Sequence, residues 1–422
     1  MKQLLLKRSP ARVSVEALQR RKRILLGHLN SNGDCLYATA IARQIKVDYP
    51  GCHLTWAIGS MCRSILDGNP YVDEVWEIPL ENIREVPDVW QRFVREAGER
   101  KRGGDFDEIF LTQIVADNLQ VYDGTIRSSI FRAYPRKITG PVLPVLRLSS
   151  IEVENVCRFA QHHRLAARSN VVLFECSVKS GQSFITPEYA LEVAQDLIAR
   201  VPSVSVILSS NIPIVSTDER IIDGSILSLR ENAELTKYCC LLIGGSSGIS
   251  WICTSDWAKP LPMIQLLKRD AFWFASFAYD YEYWGLPTDS IVEMTEYSST
   301  KISECVLTIF TEGVKAARMK FNEKVLPTFD SYEYFLDYFL GERQYRKATS
   351  LLLCHIQRHR FHFQFIHWYL TKLISHVHGL VANMSIKIVK RVLRRYLPWV
   401  YQSLKWVKRI RSAGQLKSNG QN

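Results

Sequence analysis

A polar turn that ends in an acidic residue stands between an apolar run and a helical pattern near the start of the chain. The apolar run, Ile24–Leu26, is typical of a strand buried on both faces of a parallel sheet. Four residues that favour sharp turns follow it, Asn30, Ser31, Asn32 and Gly33. Asp34 is thereby placed at the carboxyl end of a central strand, where open α/β sheets bind ligands. Two interpretations stay open, a catalytic acid or base and a simple helix cap.

Two further polar turns each follow an apolar run in the second half of the chain. The turn 244–248 (GGSSG) leaves a strand and opens a helix, so that backbone N–H groups and the helix dipole favour a phosphate. It lacks the lysine and the spacing of a Walker loop and the spacing of GxGxxG. In the turn 176–184, Lys179 is placed to neutralise a diphosphate. The alternatives are a plain tight turn and a solvated lysine.

The segment 272–284 holds eight aromatic residues among thirteen. Aromatic faces stack on sugars and bases, and they also pack against one another in a local core. Both readings of this segment stay open, with the local core as the more common arrangement.

Strands that alternate with helix-length segments predict two successive parallel, Rossmann-like sheets. The predicted strands of the first sheet lie near 23–29, 53–58, 74–78 and 107–112, and those of the second near 170–175, 204–208, 225–229, 240–243 and 261–266. The predicted organisation is a basic lead-in (1–22), a first domain (23–150), a second domain (151–325) and a helical extension (326–422). Two such sheets imply a ligand in the cleft between the domains.

The net charge of +12 is concentrated at the C-terminal end of the chain. Residues 341–422 carry 16 Lys and Arg against one acidic residue, whereas residues 1–340 carry 38 basic and 41 acidic residues. Within this end, residues 384–411 combine an apolar helical stripe with eight basic residues between 387 and 409, and Pro398 predicts a kink. This pattern is typical of a helix that lies on an anionic membrane surface. Packing against the body of the protein and nucleic-acid binding are the alternatives, and the wide apolar stripe argues against nucleic acid.

The ten cysteines are scattered, without zinc-type spacing, which predicts a reducing compartment and no metal site. We find no signal peptide and no uncharged run of membrane-spanning length. The expected location is therefore the cytoplasm, or the cytosolic face of a membrane.

Three segments, in order, resemble the N-terminal half of the ADP-heptose:lipopolysaccharide heptosyltransferases, glycosyltransferase family 9. They are the turn 30–34, DYPGCHLTWAIGS at 48–60 and NPYVDEVWEIP at 69–79. GGSSGISW at 244–251 is similar to the late Gly/Ser turn of that family, and the resemblance covers about residues 23–320. It implies a GT-B fold of two doubly wound Rossmann-like domains that face each other across a cleft. It also implies inverting transfer from a nucleotide-sugar, with no cofactor and no metal ion.

The resemblance implies roles for particular residues. Asp34 matches the catalytic carboxylate, a general base for the acceptor hydroxyl, and residues 30–33 form the acceptor-side turn. On the donor side it implies seven residues, Ser177, Lys179, Gln182, Gly245, Ser246, Ser247 and Gly248. The chain departs from the family where Ser246 replaces an acidic residue, Trp251 replaces a histidine and Gln182 replaces a lysine. These departures fall on the donor side, so the resemblance does not fix the sugar nucleotide.

The resulting hypothesis is a membrane-associated glycosyltransferase of bacterial surface polysaccharide or lipopolysaccharide assembly, peripheral on the cytosolic face of the inner membrane. Its partners would be a nucleotide-sugar, a glycan or lipid-linked acceptor and an anionic membrane, with no nucleic acid. One rival is a non-catalytic relative that serves as a scaffold in a glycan-synthesis complex. The other is a different nucleotide-binding Rossmann enzyme, which the absence of GxGxxG disfavours.

Overall fold

The computed structural model describes residues 21–176, 178, 181–274, 276–327, 330–359 and 363–396. The chain forms two compact units, Met1–Tyr332 and Glu333–Asn422. The described part of the first unit contains both parallel sheets, and the described part of the second unit is helical.

The first sheet has four parallel strands in the order β3-β2-β1-β4. Its elements are β1 (Arg23–Gly27), α1 (Asn32–Asp48), β2 (His53–Gly59), β3 (Glu74–Ile78), α2 (Val86–Arg102), β4 (Glu108–Leu111) and α3 (Ile126–Ala133). The chain adds β2 and β3 on one side of β1 and then β4 on the other side. The winding therefore reverses between β1 and β4, and ligands of open α/β sheets bind at such a reversal.

The sequence of this sheet explains its burial. Ile24, Leu25 and Leu26 of the central strand β1 have no exposed surface, as expected of a strand covered on both faces. Helix α2 begins with Pro87 in its first turn, and its apolar side chains recur at helical spacing. Trp90 and Phe93 of α2 pack in the same core as Leu25.

The second sheet has six parallel strands in the order β10-β9-β8-β5-β6-β7. Its strands are β5 (Asn170–Glu175), β6 (Val204–Ser209), β7 (Ile221–Asp223), β8 (Leu241–Gly244), β9 (Met263–Leu266) and β10 (Ile291–Met294). The associated helices are α4 (Ser150–His162), α5 (Pro187–Arg200), α6 (Glu231–Leu235), α7 (Gly248–Ile252), α8 (Phe277–Trp284), α9 (Ser299–Glu312) and α10 (Val314–Phe321). Here the winding reverses between β5 and β8, so the residues after these two strands lie side by side.

The fold class predicted from the sequence, two Rossmann-like parallel sheets followed by a helical region, is confirmed. The strand predicted at 225–229 is wrong, because the edge strand β7 ends at Asp223. The carboxylate of Asp223 accepts hydrogen bonds from the backbone N–H and the hydroxyl of Ser225, each at 2.9 Å, which folds the chain into a local turn.

The described part of the second unit contains α11 (Asp330–Gly341), which begins three residues before the boundary, α12 (Tyr345–His359) and α13 (Phe363–Tyr396). The ring of His355 in α12 stacks on Phe365 of α13 with centroids 3.6 Å apart. Lys372 of α13 pairs with Glu333 at 2.7 Å and Asp337 at 3.2 Å, both in α11.

Of the predicted membrane segment 384–411, the backbone is helical to Tyr396, and 397–411 lie outside the described residues. None of the helices that the structure describes is long and apolar enough to span a bilayer.

Candidate functional site

Asp34 lies at the reversal point of the first sheet, in the first turn of α1. Ser31 is the residue that precedes the helix, and its backbone N–H is hydrogen bonded to the Asp34 carboxylate. The acidic side chain therefore makes the local contact that a helix-capping role requires. Asp34 as a residue is half-buried, so part of it is accessible to solvent.

The surroundings of Asp34 tune its acidity toward neutral pH. Burial raises the pKa of Asp34 from 3.8 to about 6, because the protein replaces the water that would solvate the charge. The positive charge of Arg127 and the hydrogen bond from Ser31 act in the opposite direction. A carboxylate with a pKa near 6 is ionised at neutral pH and still accepts a proton readily, as a general base must.

The turn before Asp34 is held by Gln113, which follows β4 across the reversal point. Its side-chain oxygen accepts hydrogen bonds from the backbone N–H groups of Leu29 at 3.0 Å and Asn30 at 3.2 Å. Its side-chain nitrogen donates to the Asn30 carbonyl at 2.6 Å. Asn30 is buried, Ser31 is exposed, and Asn32 and Gly33 are half-buried. Of the four predicted acceptor-side residues, the last three therefore reach the surface.

Arg127, in α3, connects the elements around the first sheet to those around the second sheet. Its side chain is 4% exposed, and its Nη2 donates to the carbonyl of Ser246 at 2.8 Å. The guanidinium lies 4.2 Å from the centre of a Trp251 ring, and its Nη1 lies 4.0 Å from a carboxylate oxygen of Asp280. Burial lowers the pKa of Arg127, while the charges of Asp280 and Asp34 raise it. The predicted donor turn is thus attached to the neighbourhood of Asp34 by a buried cation.

Aromatic side chains pack the elements of the two sheets together near Asp34. Trp251 of α7 has no exposed surface and stacks on Phe277 of α8 with centroids 3.8 Å apart. The edge of Trp251 also meets Tyr37 of α1, which stacks on Phe131 of α3 at 4.5 Å. A Cβ added at Gly33 would lie 3.4 Å from the Trp251 ring. At this point of the predicted cleft, α1 and α7 are in direct contact.

The turn Gly244–Gly248 lies at the reversal point of the second sheet and encloses a carboxylate of the protein. Glu175, the last residue of β5, accepts hydrogen bonds from the N–H groups of Gly245 at 2.9 Å, Ile249 at 3.1 Å and Ser250 at 3.3 Å. The hydroxyls of Ser247 and Ser250 donate to the same carboxylate.

Ser246 has a left-handed backbone (φ 58°) and is fully buried. Its N–H donates to the side-chain oxygen of Gln265 at 2.8 Å. Together with the bonds to Glu175, this gives an internal acceptor to the N–H groups of Gly245, Ser246, Ile249 and Ser250. The predicted donor residues of this turn therefore lie together, around the side chain of Glu175, which was not among the predicted site residues.

The second predicted donor turn is described only in part. Ser177 and Lys179 lie outside the described residues. Gln182 is buried, and its carbonyl accepts a hydrogen bond from the backbone N–H of Lys268 at 2.9 Å. Over the part of the chain that the structure describes, no group of three or more His, Cys, Asp and Glu side chains is arranged to hold a metal ion.

Sequence reasoning missed Glu175, Arg127 and Gln113. Glu175 could have been recognised from the sequence, since a charged residue that directly ends a run of buried apolar residues must meet compensating hydrogen-bond donors. Gln113 had the weaker signal of a polar residue just after β4. Arg127 had none, because its partners Ser246, Trp251 and Asp280 are more than 100 positions away in the sequence.

Comparisons with solved structures find several proteins to which this chain is similar at low sequence identity. The chain is similar to a glycosyltransferase family 9 protein from Veillonella parvula, at 15% identity and a TM-score of 0.47, over 79% of this chain and 97% of that chain. It is similar to the ADP-heptose lipopolysaccharide heptosyltransferase II of E. coli, at 14% identity and a TM-score of 0.45, over 69% of this chain and 99% of that chain. It is also similar to a UDP-N-acetylglucosamine 2-epimerase, at 9% identity and a TM-score of 0.42, over 77% of this chain and 98% of that chain. No protein-family model matches the chain, and a comparison with curated proteins finds no match.

Proposed function

We propose that this protein is an inverting glycosyltransferase that moves a sugar from a nucleotide-sugar to a glycan or lipid-linked glycan acceptor. The observation that carries the proposal is Asp34, a half-buried carboxylate at the reversal point of a parallel sheet with a pKa of about 6. The ordered sequence motifs around it support the same reaction class.

In the proposed reaction, the ionised Asp34 carboxylate accepts the proton of the acceptor hydroxyl. The acceptor oxygen forms a bond to the anomeric carbon while the bond from that carbon to the donor phosphate breaks, and the nucleoside diphosphate leaves with the electron pair. The buried charge of Arg127 keeps part of the Asp34 population ionised, because it opposes the effect of burial on that pKa. The chain's own residues supply base and positioning, and we propose no cofactor and no metal ion.

The experiment is a panel of nucleotide-sugars offered to the full-length protein with lipid-linked and soluble glycan acceptors. We expect turnover with one donor, and we expect D34N to lose at least about 100-fold in kcat while it still binds that donor, as removal of a general base predicts. The matched control is E96Q, at an exposed acidic residue of α2. Full activity of D34N would exclude Asp34 as the base.

A second candidate function is a non-catalytic scaffold in a glycan-synthesis complex. The specific observation that favours it is the Glu175 carboxylate, which already uses the hydrogen-bond donors of the turn proposed for the donor phosphates. Absence of binding for every nucleotide-sugar of the panel would favour the scaffold over the transferase.

We further propose that the C-terminal region binds an anionic membrane surface through residues 384–411. The proposed membrane is the cytosolic face of the inner membrane, where a lipid-linked acceptor of polysaccharide or lipopolysaccharide assembly resides. Leu370, Ile374 and Val377 of α13 are 46%, 57% and 45% exposed, and they are spaced as one face of a helix. Arg394 and Arg395, further along α13, are exposed. An apolar face that continues into a basic segment suits a lipid surface better than nucleic acid.

A further inference from the structure

The Glu175 carboxylate takes the position of a bound anion in the turn Gly244–Gly248. It has no exposed surface, and burial of an ionised carboxylate is costly unless hydrogen-bond donors surround it. Three backbone N–H groups and the hydroxyls of Ser247 and Ser250 supply those donors.

The packing of the turn leaves little room for a second anion. A Cβ added at Gly245 would lie 2.7 Å from Ser183 and Val178, and one added at Gly244 would lie 3.1 Å from Glu175 itself. The N–H of Ser246, which does not reach Glu175, donates to Gln265. A diphosphate that used this turn would therefore have to displace Glu175 from its hydrogen bonds.

Charge adds to this competition. A diphosphate beside a buried carboxylate brings like charges together in surroundings of low polarity, where their repulsion is much stronger than in water. The nearby cation Arg127 already faces the carboxylates of Asp280 and Asp34 as well as Glu175, so it is not available to offset a further anion fully.

We propose that Glu175 competes with a diphosphate for the turn Gly244–Gly248 and thereby weakens the binding of diphosphates by this protein. The turn in the unaltered chain is closed to diphosphates unless Glu175 leaves it. The identity of the competing ligand rests on the proposed function, whereas the competition itself is a property of the turn.

The test is isothermal titration of the full-length protein with pyrophosphate, ADP and UDP, and with adenosine as the ligand that lacks phosphate. E175Q preserves the side-chain volume and removes the charge. We expect E175Q to bind pyrophosphate, and ADP or UDP, at least tenfold more tightly than the unaltered protein, with adenosine unchanged. A structural role alone predicts weaker binding and not tighter binding.

The matched control is E293Q, which neutralises another buried carboxylate of the same sheet, one held by the Ser276 hydroxyl and the Ala278 N–H. We expect its pyrophosphate affinity to equal that of the unaltered protein. S250A is the second variant should E175Q not fold, because it removes one hydroxyl from Glu175 and should raise pyrophosphate affinity about threefold. Equal or weaker pyrophosphate binding by a folded E175Q, or by S250A in its place, overturns the proposal.

The two proposals fail separately. If no nucleotide-sugar is turned over but E175Q gains pyrophosphate affinity, the transferase is refuted and the competition stands. If turnover is found and E175Q gains nothing, the transferase stands and Glu175 is only a structural residue.

Discussion

Ionisation of Asp34 is expected to destabilise the folded protein, and the size of this effect can be worked from its pKa. The pKa rises from 3.8 to about 6 on folding because the carboxylate is desolvated. A raised pKa means that the folded state holds the proton more tightly than the unfolded state. The stabilisation from this proton is complete below about pH 4 and is lost as the pH rises through 6. A shift of about two pKa units corresponds to about 3 kcal/mol, and partial exposure of the side chain reduces it to roughly 1–3 kcal/mol.

The substitution D34N tests this reasoning without any substrate. Asparagine has the same shape, carries no charge at any pH and can still accept the hydrogen bond from Ser31. The stability advantage of D34N over the unaltered protein should therefore grow by about 1–3 kcal/mol between pH 4 and pH 8. In a thermal unfolding series this is a widening gap of several degrees between the two midpoints.

The control for the series is E96Q, whose midpoint should follow that of the unaltered protein at every pH. A D34N gap that stays constant, or that narrows as the pH rises, would refute the assignment of Asp34 as a carboxylate with a raised pKa. The loss of stability on ionisation of Asp34 also has a functional meaning, since a residue that destabilises the fold when ionised is typical of a site retained for chemistry.

Two further predictions address the charges around this site and at the end of the chain. R127M should raise the pKa of Asp34 above about 6, because the opposing positive charge is lost, whereas R127K should largely preserve that pKa. Carboxyl ¹³C NMR titration measures the Asp34 pKa in both variants. An unchanged pKa in R127M would exclude the electrostatic coupling between Arg127 and Asp34. The double reversal R394E/R395E should weaken binding to anionic vesicles at least tenfold, at about 1 kcal/mol per basic residue near the surface, as measured by vesicle co-sedimentation. The matched control reverses two exposed arginines of α2, Arg92 and Arg95, and equal losses in both variants would refute a specific role of α13.

The sheets were predictable because their signals are local. Runs such as Ile24–Leu26 and Asn170–Glu175 are short, apolar and bounded by turn residues, and both form strands at the predicted places. The edge strand was misplaced to 225–229 because the Asp223 carboxylate folds the following residues into a turn, which apolar content does not reveal. The strand β10 and the helices α8 to α10 were not predicted either.

The candidate site was predictable only in part, for a physical reason. The turns at 30–34 and 244–248 have residue types that mark them without any partner. The groups that set their chemistry come from distant parts of the chain, Gln113 to the first turn, and Glu175 and Gln265 to the second. Such pairs form only once the winding reversals have placed β1 beside β4 and β5 beside β8.

These reversals also explain why Arg127 matters for both turns. Asp34 and the Gly244–Gly248 turn each stand at the carboxyl edge of a separate sheet, and Arg127 is the buried cation that interacts electrostatically with Asp34 and donates a hydrogen bond to Ser246. Arg127 interacts electrostatically with Glu175 as well as with Asp34, so we expect a change of charge at Glu175 to be felt at Asp34. We therefore predict that the Asp34 pKa measured in E175Q lies below that in the unaltered protein, because a negative charge near Arg127 and Asp34 is removed. An unchanged Asp34 pKa in E175Q would refute a coupling between the two turns.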